Sequence, residues 1–130
     1  MEPLLGIENS LAKKAVDCAY RVHTALGPGL LESVYEKCLF HELSKQNLSI
    51  ETQVRLPVIY DGVQLDAGLR LDIWMERKVI LELKSTEELT PLHQAQLLTY
   101  LKLTGNQLGL LINFNTPLIK HGIRRLVLSR

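Results

Sequence analysis

The sequence predicts an α/β (α+β) fold: helices flanking a mixed β-sheet, with elements in the order α-α-β-β-β-α-β-β. Three observations carry this. Apolar residues recur at helical spacing from Ser10 to Gln46. The period changes to two at Ile50. Two mostly apolar runs, Val79 to Leu83 and Leu108 to Phe114, then stand on either side of a further helical stretch.

The first helix shows one face in Ala12, Ala15, Val16, Ala19, Val22 and Leu26, with Asn9 or Ser10 as its cap. Gly27-Pro28-Gly29 ends it, since glycine accepts a left-handed cap and proline cannot continue the helix. The second helix follows at once, with Leu31, Val34, Tyr35, Cys38 and Leu39 as its apolar stripe, and runs out near Gln46-Asn47. Ile50, Thr52, Val54 and Leu56 then alternate with Glu51, Gln53 and Arg55. Pro57 places this strand at a sheet edge or a bulge, because it has no N–H for a ladder. Asp61-Gly62 is a hairpin turn leading through Val63 and Leu65 into a strand over Leu69 to Met75. A tight turn at Glu76-Arg77-Lys78 returns the chain as Val79 to Lys84. Thr90-Pro91 starts the third helix, which reaches about Thr104 and closes at Gly105-Asn106. Leu108 to Phe114 and Ile123 to Leu128 supply the last strands. No repeat, linker or low-complexity segment interrupts the chain, so one domain is expected over 1–130.

Composition narrows the function. The chain has 130 residues, enough for a real core, and 15 Lys plus Arg against 14 Asp plus Glu give a formal net charge of +1. A polyanionic ligand must therefore be attracted by a local patch or a metal ion. Cys18 and Cys38 lie within helical patterns and form no Cys-x-x-Cys pair, as expected of free thiols in a reducing compartment. The four histidines have no zinc-ligand spacing. No run is apolar for a membrane-spanning length, and Met1 to Gly6 carries no signal-peptide pattern. The expectation is a soluble cytoplasmic protein without membrane contact.

The chemistry concentrates in Val79-Ile80-Leu81-Glu82-Leu83-Lys84. Strand alternation points Glu82 and Lys84 to one side and Leu81 and Leu83 to the other. Asp72, on the preceding strand, falls opposite Glu82 or within a residue of it. Two carboxylates and an ammonium then meet at one end of a sheet, a place for a hard divalent cation and an activated water. Glu32 opens the second helix, where it either offsets the helix dipole or joins this site. Gln96 and Tyr100 lie one turn apart on the third helix, either as satisfied boundary residues or as site groups. Arg70 stands near the acids, and Lys120, Arg124 and Arg125 cluster near the C-terminus. These four are candidate phosphate contacts, and a solvated face explains the last three equally well.

These pieces resemble the PD-(D/E)XK nuclease superfamily, in Asp72 followed by Glu82-Leu83-Lys84, although the signature's proline is unmatched. Gln96-Leu-Leu-Thr-Tyr100 is similar to the QxxxY motif of its RecB-type members, and Gly29-Leu-Leu-Glu32-Ser-Val-Tyr35 to the motif that names the GxxExxY protein family. The resemblance implies a restriction-endonuclease-like core with a four-stranded mixed sheet. It implies that Asp72, Glu82, the Leu83 carbonyl and Glu32 bind Mg²⁺ or Mn²⁺. Lys84 would then act on the attacking water and phosphate, while Gln96 and Tyr100 orient water or substrate.

The expected function is a Mg²⁺- or Mn²⁺-dependent nuclease that hydrolyses phosphodiester bonds, with DNA placed ahead of RNA and a homodimer left open. The alternative is a non-catalytic or weakly catalytic nucleic-acid-binding or regulatory module of the same fold.

Overall fold

Helix α1 (Gly6–Leu26) starts four or five residues earlier than the Asn9 or Ser10 cap would place it, and its N-cap Leu5 makes no side-chain cap bond. Leu5 is buried and extends the inward stripe of Leu11, Ala12, Ala15, Cys18, Ala19 and Val22. Burial therefore nucleates the first turn in place of a polar cap. Asn9 is used elsewhere, its Oδ1 accepting from Arg125 at 2.6 Å. The computed structural model describes residues 5–129, the side chain of Ala67 excepted, so the reading of Met1 to Gly6 falls mostly outside the described residues.

Helix α2 (Glu32–Ser44) buries Tyr35, Leu39 and Leu43. Leu31 and Val34, expected on that stripe, are exposed at 73% and 37%. The helix is rotated about its axis so that the i, i+4, i+8 row faces the sheet, and Tyr35 fixes that rotation (below).

Strands β1 (Ile50–Tyr60) and β2 (Val63–Met75) form one long antiparallel hairpin. Asp61 (φ 50°) and Gly62 (φ 77°) make its turn, the positive-φ pair that matches strand twist. β1 is an edge strand, and its register shifts between Leu56 and Val58, on either side of Pro57. After a second turn, with Glu76 and Arg77 at φ 51° and 52°, β3 (Val79–Lys84) pairs antiparallel with β2. Helix α3 (Pro91–Thr104) is capped by the Thr90 hydroxyl and ends on left-handed Gly105. It carries the chain to β4 (Leu108–Asn113), parallel to β3. A 3-10 turn (Ile119–Gly122) leads into β5 (Ile123–Val127), antiparallel to β4.

The sheet is mixed and five-stranded in the order β1-β2-β3-β4-β5, one strand more than the four implied by resemblance, because β5 adds along β4. Helices α1 and α2 cover one face, over Ile73, Met75, Val79, Leu81, Leu83, Leu110 and Ile112. Helix α3 covers the other, with Leu97 and Leu101 against Trp74, Ile80 and Leu111. This is a restriction-endonuclease-like α+β arrangement. Among the described residues no helix is long and apolar enough to cross a membrane.

Along β2 the partners change at Asp72. Ile73 and Met75 pack with α1 and α2, whereas Leu69 and Leu71 pack on the α3 side. Since β3 pairs only with residues 73–75, the rest of the hairpin is a two-stranded ribbon, free to twist out of the sheet plane. Asp72 sits where the ribbon leaves the sheet.

Candidate active site

The ladder between β2 and β3 stops at Ile73↔Leu81, and two carboxylates take its place. The register brings the next residues, Asp72 and Glu82, opposite each other. The Asp72 N–H donates to Glu82 Oε2 at 2.8 Å, and the Leu83 N–H donates to Asp72 Oδ2 at 2.9 Å. Each acid thus satisfies a backbone donor that the diverging strands would otherwise leave unpaired. Glu82 is 4% exposed and Asp72 9%. The other oxygens, Glu82 Oε1 and Asp72 Oδ1, make no hydrogen bond among the described residues. No fully buried side-chain oxygen lacks a partner there, so these two reach solvent.

Burial, and next the Asp72 charge, push the Glu82 carboxyl up to about 8. The Asp72 amide, Lys84 and Arg70 oppose the rise. Two largely buried acids held this close favour a shared proton or a shared cation.

Glu32, Arg55, Gly68, Arg70, Asp72, Glu82, Lys84, Gln96 and Tyr100 line one cleft of about 330 Å³. The sequence-derived candidates Asp72, Glu82, Lys84, Gln96, Tyr100, Glu32 and Arg70 are therefore brought together, with Leu83 lining the adjoining recess. The Lys84 ammonium makes no hydrogen bond or ion pair among the described residues. The chain just beyond it is fixed, since Phe114 N–H donates to the Lys84 carbonyl at 3.0 Å. Buried Asn113 bonds the Thr86 N–H and carbonyl at 3.1 and 2.9 Å.

Glu32 enters from the other wall through a tethered loop. The Tyr35 hydroxyl, fully buried, donates to the Gly27 carbonyl at 2.6 Å and accepts from the Leu30 N–H at 3.1 Å. Its ring stacks on Phe114 with centroids 4.5 Å apart. Ser85, next to Lys84, donates to the Leu30 carbonyl at 2.6 Å. Gly29 adopts φ 97°, a conformation that only glycine holds without strain. Gly29 and Tyr35 thus bend and clamp the loop that presents Glu32.

Tyr100 meets β2 from α3. Burial first, and then the Glu82 charge, raise its phenol, while a hydrogen bond with the Arg70 backbone opposes the shift. Gln96, one turn earlier, is exposed at the cleft mouth.

The C-terminal basic residues do not join this cleft. Arg124 pairs with Leu111 and Arg125 with Leu110, so alternation sends them to opposite faces of the sheet. Arg125 is bonded to Asn9 of α1, Arg124 to the carbonyls of His121 and Ile123, and Lys120 lies beside Tyr20 and Pro28 in another depression.

Sequence reasoning missed Arg55, Glu36 and Gln53. Arg55 faces Arg70 across the hairpin. Glu36 and Gln53 are bonded to each other and line the recess beside Asp72. Burial, more than any charge, raises the Glu36 carboxyl. Its place four residues after Glu32, on the same helix face, was the available signal. Gln53, at φ 51° in mid-strand, left none.

The model of the PD-(D/E)XK nuclease superfamily matches residues 9–126 of the chain. The chain belongs to the PD-(D/E)XK nuclease superfamily. No curated protein and no solved structure matches it. PD-(D/E)XK proteins are in general nucleases that use divalent metal ions, and nucleic acid is the substrate class the superfamily implies. The donor set fits that chemistry: two carboxylates, each with an oxygen open to the cleft, suit a hard cation that keeps several waters. Among the described residues no three His, Cys, Asp or Glu side chains stand close enough to share an ion, so Glu32 faces Asp72 and Glu82 across the cleft instead of completing a cage.

Proposed function

We propose that this chain is a Mg²⁺- or Mn²⁺-dependent nuclease of the GxxExxY branch, hydrolysing phosphodiester bonds of DNA ahead of RNA within a single domain. The observation that carries the reading is the reciprocal bonding of Asp72 and Glu82, which fixes two carboxylates at the end of β2 and β3 with the Lys84 ammonium unpaired beside them.

In this reading Asp72 and Glu82 would hold the cation, with the Leu83 carbonyl beside them, while Glu32 faces the site from across the cleft and would reach it only through water. When bound, the cation lowers the pKa of a water and polarises a phosphoryl oxygen. Lys84 offsets negative charge developing on the phosphate. Gln96 and Tyr100 orient water or substrate by hydrogen bonding, as an amide and a phenol can. Arg55 and Arg70 draw phosphates into a cleft on a protein of near-zero net charge.

The test is purified protein with and without Mg²⁺ or Mn²⁺, against single-stranded, duplex, flapped and branched DNA and the matching RNAs. Cation-dependent cleavage of at least one substrate is expected. Binding without cleavage under every condition would favour the non-catalytic module.

A further inference from the structure

We infer that the protein pairs with a second copy of itself, each copy setting the tip of its β1–β2 hairpin into the groove between α1 and α2 of the other. The inference stands apart from the nuclease reading and uses none of its residues.

Beyond the sheet the hairpin is a ribbon whose tip is apolar and bare. Ile59, Tyr60, Val63 and Leu65 are 68%, 75%, 55% and 52% exposed. Tyr60 lies opposite Val63, and Leu65 opposite Val58, so Tyr60, Val63 and Leu65 share one face. The charges between Pro57 and Leu69 are two acids, Asp61 and Asp66, with no Lys or Arg. Such a tip repels a phosphate backbone, which separates it from Arg55 and Arg70 at the ribbon's root. Pro57 and the register shift beside it also discourage another strand from adding along this edge. A partner must therefore cover the tip through its side chains, and that partner must be apolar and basic.

The same chain carries such a surface. A groove of about 360 Å³ runs between α1 and α2, floored by Val22, Ala25, Leu26 and Cys38. Arg21, Lys37 and His41 stand at its rim, and the Lys37 and His41 side chains make no hydrogen bond or ion pair among the described residues. The rim's one acid, Glu42, is already held by Lys45 at 2.6 Å. An apolar, acidic tip and an apolar, basic groove on one chain are mutually complementary. A two-fold pair in which each tip enters the other's groove covers both and closes without forming a filament. The apolar contact would supply the affinity, and the charges would set the orientation.

The experiment is sedimentation equilibrium of the full chain at low salt, on the wild type, Asp61→Lys/Asp66→Lys, Arg21→Glu/Lys37→Glu and an equimolar mixture of the two variants. The wild type should be a dimer, and each variant alone should weaken it by about tenfold or more, since both its junctions then bring like charges together. In the mixture each hetero-pair has one wild-type junction, an acidic tip in a basic groove, and one charge-reversed junction, a basic tip in an acidic groove, so dimerisation should return there, as it should when all four substitutions are placed in one chain. Tyr60→Ser, at an exposed position, should weaken the dimer independently of any effect of the charge reversals on folding. A wild type that stays monomeric, a dimer indifferent to either charge pair or to Tyr60→Ser, or a quadruple variant that fails to regain the dimer would each overturn the inference.

Discussion

At its turn end the β2–β3 hairpin closes its polar groups on one another. Trp74 Nε1 donates to Asn106 Oδ1 at 2.7 Å, Asn106 Nδ2 donates to the Arg77 carbonyl at 2.9 Å, and Arg77 forms a two-pronged pair with Glu51 at 2.9 and 3.0 Å while its guanidinium covers the Trp74 ring. At the other end of the same two strands, Asp72 and Glu82 are held together as two acids, the Lys84 ammonium has no hydrogen bond or ion pair among the described residues, and carboxylate oxygens open into a cleft. One end has its charge matched within the chain, and the other leaves carboxylate oxygens open to the cleft. A closed network ties strands and loops together, whereas two acids fixed at close range resist ionising together, and in the proposed reading a cation would relieve that.

The comparison breaks most visibly at Lys84. Lys84→Met keeps the aliphatic stem and removes the charge, so cleavage should fall by about 10²-fold or more while Mn²⁺ binding persists. Wild-type rates from this variant would reduce the lysine to a spectator.

The raised Glu82 carboxyl predicts a pH effect of opposite sign to the usual salt-bridged acid. Its folded value of about 8 lies above the ordinary 4.5, so between these values the folded state holds a proton that the unfolded chain has released. Stability of the cation-free protein should therefore decline as pH rises from about 4.5 to about 8 and then level off, by an amount on the order of a few kcal/mol. Melting in a chelator at pH 6 and pH 9 should show the wild type losing stability and Glu82→Gln losing less. Parallel curves would mean that Glu82 is not strained by its neighbours.

Gln96→Ala should slow cleavage by roughly tenfold through lost orientation, with an unchanged melting point and Mn²⁺ isotherm. A less stable but fully active variant would mark Gln96 as a boundary residue. The smallest effect belongs to the closed end. Arg77→Ala removes an exposed ion pair and a ring contact, and should lower the melting point slightly while leaving cleavage per folded molecule as it was.

The element order and most boundaries were legible because the hydrophobic period changes cleanly at Ile50 and the turns carry Asp61-Gly62, Thr90-Pro91 and Gly105. The start of α1 was not, because Leu5 acts through tertiary burial and Asn9 bonds β5 instead of capping. The rotation of α2 hung on one hydroxyl, that of Tyr35, whose partners Gly27 and Leu30 lie in a loop without periodicity. The meeting of Asp72 with Glu82 followed from strand alternation and a short turn. Arg55 and Gln53 entered only through the ribbon's twist, which no spacing records. The C-terminal basic cluster misled because Arg124 and Arg125, adjacent on a strand, occupy opposite faces.

The most direct test of the claim that the open end of this hairpin is built for a cation is calorimetric titration of Mn²⁺ into wild type and Glu82→Ala, with folding of both checked by melting. Saturable binding by the wild type that falls sharply in the variant is the predicted result, and equal isotherms from two folded proteins would contradict it.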